Sequence, residues 1–312
     1  MNTIDKKTNA LNKHSLPFRK NRKFSIGQIV LNMFFICLCA VFIYPVLLTM
    51  AVSFSDDMAI ANNGYAFIPE KWSLAGYKYA LKNAGIARAY LVTIMSSSVG
   101  TVLSVLIMML YAYPLSRRSF KHRVGFALFA YFSTFLSGGL VPWYIICTQV
   151  LEIGNTFWAL VLPNLLSPTY IIILRTFIST NVPNEMIEAT KIDGAGEWRI
   201  FWSFVLPLSK PGIATIALFQ LLAYWNDYYL PMMLVNNAKW YNLQYYLQTL
   251  FQNIEVLVSG MFGEDASVKL SEIPQQSVRM AMCVLTMGPI LVVYPFFQRF
   301  FVKGLTVGSV KG

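Results

Sequence analysis

EATKIDGAGEWRIFWSFVLPL, residues 188–208, holds three acids, two bases, a Gly-Ala-Gly turn and a proline, yet long apolar runs flank it on both sides. The flanking runs, 157–177 and 212–234, each approach the roughly 20 residues that cross a 30 Å hydrocarbon core. Four more runs have similar length: 29–52, 89–113, 124–147 and 280–297. The reading of 188–208 therefore decides the fold: it is a half-polar, folded interruption in a chain otherwise built for lipid.

The composition agrees. Of 312 residues, 56% are hydrophobic and 12% charged, against about 25% charged in soluble domains. So few charges cannot cover a soluble globule of this size. The expected class is an all-α integral membrane protein with six transmembrane helices, which puts both termini on one side.

Loop charge sets the orientation. Residues 1–28 form a basic arm with Lys6, Lys7, Lys13, Arg19, Lys20, Arg22 and Lys23 against Asp5. The run behind it outlasts the 7–15 residues of a signal-peptide core, so a retained first helix is expected. SRRSFKHR (116–123) has four bases and no acid, and Arg299, Lys303 and Lys311 mark the other end. Loops 53–88 and 235–278 are neutral to acidic. The positive-inside rule then places both termini in the cytoplasm, with 29–302 as the spanning domain and 303–312 as a cytoplasmic tail. By alternation, loop 178–211 is cytoplasmic as well. It breaks the rule locally, with Glu185, Glu188, Asp193 and Glu197 against Lys191, Arg199 and Lys210. A loop that only set topology would be basic; this one has the composition of a folded element. Loop 235–278 holds little apolar density and is too long for a simple turn, so contact with an extracellular protein, or partial disorder, is expected there.

Several functions drop out. The net charge of +11 comes from bases beside apolar runs, not from a basic face interleaved with aromatics, so no nucleic acid is expected. Cys37, Cys39, Cys147 and Cys283 lie in apolar runs without a CxxC, and His14 and His122 lie in basic stretches. No metal site is expected from this inventory. HExxH, GxSxG and the phosphate-binding GxxxxGK[ST] are all missing from the chain, so no catalytic residue and no bound cofactor are expected.

The opening segment reads as two short helices. Pro183 with Asn184 and Glu185 suits a helix start, and 185–192 makes two turns. Asp193-Gly194-Ala195-Gly196 makes the turn, Gly194 being free to take positive φ. A second helix starts near Glu197, with Trp198, Phe201, Trp202 and Val205 recurring at helical spacing, and Leu206-Pro207 ends it. Such a pair either lies among lipid headgroups on its tryptophans or docks a cytoplasmic partner. Elsewhere, Gly138-Gly139 and Pro142 are expected to break or end the third span near the outer face.

WNDYYLPMML (225–234) lies inside the fifth run. An acid at mid-bilayer costs about 2.5–3.5 kcal/mol on insertion scales. Asp227 should therefore face the bundle interior or water. Trp225, Asn226, Asp227, Tyr228 and Tyr229 suit a sugar pathway, since aromatic faces stack on sugar C–H groups and polar groups bond hydroxyls. The same residues also suit a structural role, in which Asp227 bonds a neighbouring helix and the aromatics join the interfacial belt.

Glu188-Ala189-Thr190, three residues, Gly194, nine residues, then Phe204-Val205-Leu206-Pro207 resembles the EAA motif of bacterial ABC importer permeases, departing mildly at Thr190 and Phe204. WNDYYLPMML is similar to a stretch of the carbohydrate permeases related to the smaller maltose permease. FLSGGLVPWY (135–144), NTFWALVLP (155–163) and FVKGLTVGSVKG (301–312) resemble Gram-positive oligosaccharide permeases, including importers of aldouronates and pectin fragments. The resemblance spans nearly the whole chain. It implies the type I ABC importer permease fold in the bacterial cell membrane and the import of oligosaccharides, uronate-containing ones among them. It implies a coupling contact with an ATPase through Glu188, Ala189, Thr190, Asp193, Gly194, Glu197, Leu206 and Pro207, and a second one through the tail residues Gly308, Ser309, Val310 and Lys311. The implied partners are a second homologous permease, two ATPase subunits that use ATP and Mg, and a lipid-anchored extracellular solute-binding protein. The competing reading is an ion-driven secondary transporter, which predicts internal repeats and midplane ion ligands; no repeat is visible.

Overall fold

The computed structural model describes residues 26–82, 84–136, 138–258 and 275–308. Among them the regular structure is helical, with one isolated bridge between Ser55 and Trp72. The chain divides into two units, residues 1–48 and 49–312. Helix α1 (Ile26–Ser53) begins in the first and runs 28 residues, about 42 Å at the helical rise. Phe34, Ile36, Val41 and Phe42 are exposed on it, as suits a surface that meets lipid.

The second unit is built on α4 (Ala84–Ser116), which follows the short helices α2 (Asp57–Asn63) and α3 (Ala75–Lys82). Met108, Met109, Ala112, Tyr113 and Leu115 of α4 pack with Leu174 and Ile178 of α7 (Pro168–Asn181). Glycines bring backbones close, the usual device between helices in lipid, where small residues permit tight approach. A methyl on Gly100 would lie 2.5 Å from the Tyr224 ring, and one on Gly212 would lie 2.7 Å from that of Phe177. α4 also buries Thr93, Ser96, Ser97, Thr101 and Ser104. Thr93 accepts the Leu243 amide at 2.7 Å, and Ser104 lies 3.2 Å from the Tyr224 hydroxyl.

The six apolar runs do not become six straight helices. Three stretches are long and apolar enough alone: Ile26–Ser53, Gly85–Ser116 and Gln275–Phe296, the last in α13 (Gln275–Gly308). Run 124–147 is split into α5 (Arg123–Phe132) and α6 (Leu140–Ile145), the latter continuing as a π turn, Ile146–Val150. The break falls at the expected glycines: Gly139 has φ +87° and Pro142 fits the first turn of α6. Run 157–177 opens as two 3-10 turns, Phe157–Leu160 and Leu162–Asn164, bent 56° from α7. Pro163 and Pro168 remove the amides a continuous helix would need. Run 212–234 is α10 (Lys210–Trp225) followed, after a break, by α11 (Tyr229–Leu234).

Loop 235–278 contains α12 (Leu243–Val258), and Leu243 and Leu247 are core residues. Leu243, Leu247, Leu250 and Phe251 recur at i, i+4, i+7 and i+8, which buries one face of a helix of low overall apolarity. Residues 304–308, read from the sequence as part of the tail, form the last turn of α13. Ser309, Val310 and Lys311 lie outside the described residues, as does the basic arm up to residue 25.

Candidate functional site

The segment 184–208 folds as expected and is anchored to the core. α8 (Asn184–Ile192) starts behind Pro183, with Glu185 in its first turn. It stops on Gly194 at φ +81°, where the Gly194 amide bonds Lys191 O at 2.9 Å and the Ala195 amide bonds Thr190 O at 3.1 Å. That pair is the Schellman stop, which glycine permits because it has no Cβ to clash. Thr190 donates its hydroxyl to Met186 O at 2.7 Å.

α9 (Glu197–Ile200) passes into a π turn, Phe201–Val205, and a last helical turn, Leu206–Leu208, before the chain bends 78° into α10. The aromatic stripe read from the sequence divides. Ile200, Phe201 and Val205 are buried, whereas Trp198 and Trp202 are exposed. In a π turn bonds run i to i+5, so Ile200 and Val205 share a face that ordinary α spacing would separate. Helical winding continues through Leu206 and Pro207, past the expected end.

Glu197 fixes this element. Its carboxylate accepts the Tyr113 hydroxyl of α4 at 2.5 Å and pairs with Lys191 of α8. Burial alone would raise its pKa. Lys191 and Tyr113, with the charge of Arg117, outweigh that and hold the carboxyl below its ordinary 4.5. α8, α9 and the spanning helix α4 thus meet on one side chain. Glu188, Ala189, Asp193 and Pro207 are exposed, and Ile192, 87% exposed, presents an apolar side chain beside them. Of the residues expected to touch an ATPase, Glu188, Ala189, Asp193, Gly194 and Pro207 are exposed, Leu206 packs partly buried against the core, Thr190 bonds within the segment, and Glu197 bonds Lys191 and Tyr113 of α4. A cavity of about 410 Å³ lies between the end of α4 and α9, lined by Tyr113, Arg117, Phe120, Glu197 and Trp198 among others.

The second candidate is the break after α10. Trp225 is buried, and its indole donates to Thr286 O of α13 at 3.2 Å. Asp227 accepts the Tyr229 and Leu230 amides at 2.9 and 3.2 Å and Asn164 Nδ2 at 3.3 Å. It therefore caps α11 and ties the break to the irregular 157–167 stretch. Asn242 donates to Asp227 O and caps α12 by accepting the Tyr245 amide at 3.0 Å. Asn226, Tyr228 and Tyr229 are exposed, and the rings of Tyr229 and Trp143 lie 6.3 Å apart.

Sequence reasoning missed the residues that make this break possible. Gln220 donates to Asn164 O at 2.5 Å, and Tyr224 donates to Val161 O at 2.9 Å. Both satisfy carbonyls freed by the 3-10 turns, as non-helical backbone at membrane depth requires. The signal was present: two polar-tipped residues four apart in an apolar run share one helix face.

Residues 84–307 match the family described as binding-protein-dependent transport system inner membrane component. The polygalacturonan/rhamnogalacturonan transport system permease protein YtcP of Bacillus subtilis (strain 168) is 35% identical over 295 residues, covering 94% of this chain and all of its own. Protein LplC of the same organism is 35% identical over 274 residues, covering 88% of this chain and 90% of its own. A solved bacterial ABC transporter involved in the import of the acidic polysaccharide alginate shares the fold: TM-score 0.76, 24% identity, 90% of this chain and 98% of that one. The chain belongs to the binding-protein-dependent transport system inner membrane components, and is a multi-pass, non-catalytic permease subunit of an ABC importer in the bacterial cell membrane.

Proposed function

We propose that the chain is one half of a heterodimeric pathway for oligosaccharides, uronate-containing ones included. A second permease completes the pathway, two ATPase subunits drive it with ATP and Mg, and a lipid-anchored solute-binding protein delivers cargo outside. The observation that carries the coupling reading is the build of 184–208. Its inner face is continuous with the core of α4 and α7, so a push on its exposed face reaches the spanning helices without a flexible joint. Glu188 and Ala189 lie on that exposed face; the carboxylate offers a charge-assisted bond and the small side chain permits close approach. The tail, Gly308 to Lys311, adds a second ATPase contact in this reading. The relative named for polygalacturonan/rhamnogalacturonan transport, similar over its full length, favours acidic saccharide cargo. Family membership favours ATP over an ion gradient as the driving force.

The test is co-purification. The tagged chain, extracted in mild detergent and weighed intact, is expected with one second permease and two ATPase subunits. Glu188→Lys is expected to lose the ATPase and keep the permease partner. A wild-type chain that runs alone, or as a homodimer without ATPase, would sink the reading.

A further inference from the structure

The cavity of about 410 Å³ between the end of α4 and α9 is graded in polarity along its length. Leu110 and Pro114, one turn apart on α4, line it together with Arg117, which follows one residue past the helix end. Leu110 and Arg117 are separated by about 10 Å of helix rise. The apolar end therefore lies within the spanning stretch Gly85–Ser116, and the charged end lies in the basic turn 116–123. The positive-inside rule puts that turn at the cytoplasmic edge of the bilayer. Phe120 also lines the cavity, and the exposed Ser119 and Trp198 stand at its rim.

Arg117 is a buried cation, only 8% exposed. Its Nη1 donates to Asn184 Oδ1 of α8 at 3.3 Å, a neutral acceptor, and its Nε has no partner among the described residues. Glu197, the acid in the same lining, is already engaged by the Tyr113 hydroxyl and by Lys191. A buried charge calls for a counter-charge, and here the adjacent carboxylate is shared with two other donors. Arg118 and Lys121, exposed in the same turn, add to the positive field at the mouth.

We propose that this cavity is a binding site for an anionic phospholipid of the inner leaflet. Arg117 takes the headgroup phosphate, for which a planar guanidinium is well matched. The start of an acyl chain lies against Leu110, Pro114 and Phe120. A free phosphate satisfies the arginine and leaves the apolar end unfilled, whereas a lipid complements both ends. A basic pocket on the cytoplasmic side of spanning helices is the setting in which acidic headgroups bind, and an exposed tryptophan such as Trp198 suits headgroup level. Glu188 and Ala189, assigned above to the ATPase contact, do not line the cavity, so the two contacts are separate.

The intact complex in mild detergent is titrated with dioleoyl phosphatidylglycerol or dioleoyl phosphatidylcholine, and retained lipid is counted by native mass spectrometry. The wild type is expected to retain phosphatidylglycerol in preference to phosphatidylcholine. Arg117→Gln is expected to need about tenfold more phosphatidylglycerol for equal retention, the weight of one charge-assisted bond. Ser119→Trp, at an exposed turn position, fills the mouth and leaves Arg117 in place. It is expected to lower retention too, and it decides the matter if Arg117→Gln does not assemble. Retention by these variants equal to the wild type overturns the proposal, as does equal retention of the two lipids by the wild type. If millimolar inorganic phosphate releases the lipid, the site takes free phosphate and the lipid assignment falls. If either variant loses an ATPase subunit, that partner fills the cavity, which also overturns the proposal.

Discussion

Glu197 shows how one side chain holds an exposed element to the core. It is 55% exposed, so its pair with Lys191 is screened by water and weak on its own. Its contribution is geometric, since it joins α8, α9 and α4 at once. The carboxyl's pKa is lowered on folding. The stability it adds is therefore present above the unfolded value near 4.5 and is lost as pH falls through the folded one. Glu197→Gln removes that dependence. Thermal unfolding of the complex is expected to show an acid-induced drop in Tm below about pH 4.5 that is smaller in Glu197→Gln. Identical pH profiles would deny Glu197 this role. The resemblance implied an ATPase contact through Glu188 and Glu197 alike. What it could not show is that one faces outward and the other turns back onto Tyr113, because that depends on a helix 84 residues away in sequence.

Broken helices are the feature in which physics and function meet. Breaking at Asn226 lets Asp227 cap α11 and exposes Tyr228 and Tyr229. The freed backbone of the adjoining 3-10 turns is satisfied by Gln220 and Tyr224. Asp227→Asn keeps an acceptor oxygen, so near wild-type stability is expected. Asp227→Ala is expected to lose about 1 kcal/mol, the usual worth of a helix cap. Denaturation of the purified complex checks this, and equal losses from both substitutions would mean that the charge, not the cap, is what matters. The glycine break at 138–139 and the proline-rich entry to α7 were legible, because glycine and proline act locally. The phase shift of the π turn at Phe201–Val205 was not, because hydrophobic periodicity assumes a fixed number of residues per turn.

The charge asymmetry of the loops makes a topology prediction. In a chain with Cys37, Cys39, Cys147 and Cys283 replaced, Glu70→Cys is expected to react with a membrane-impermeant maleimide added to intact cells. Ser119→Cys, in the basic turn after α4, is expected to react only after the cells are opened. The reverse pattern would invert the whole orientation and move the 184–208 segment away from any ATPase.

Composition, loop charge and the spacing around Glu188 by themselves determined the membrane class, the run of apolar segments, the polar element between the fourth and fifth, and the family. These are properties of residues and near neighbours, and hydropathy, glycine and proline act at short range. Only the tertiary structure decided that half the spans are broken, that α12 belongs to the core and that Asp227 caps a helix. Each of those depends on which side chain meets which across many residues of chain. Gln220 reaching Asn164 and Asp57 reaching Ser277 are two such meetings. In a medium without water every freed backbone group must find its partner inside the protein, and where that partner lies is a matter of packing, which no local pattern records.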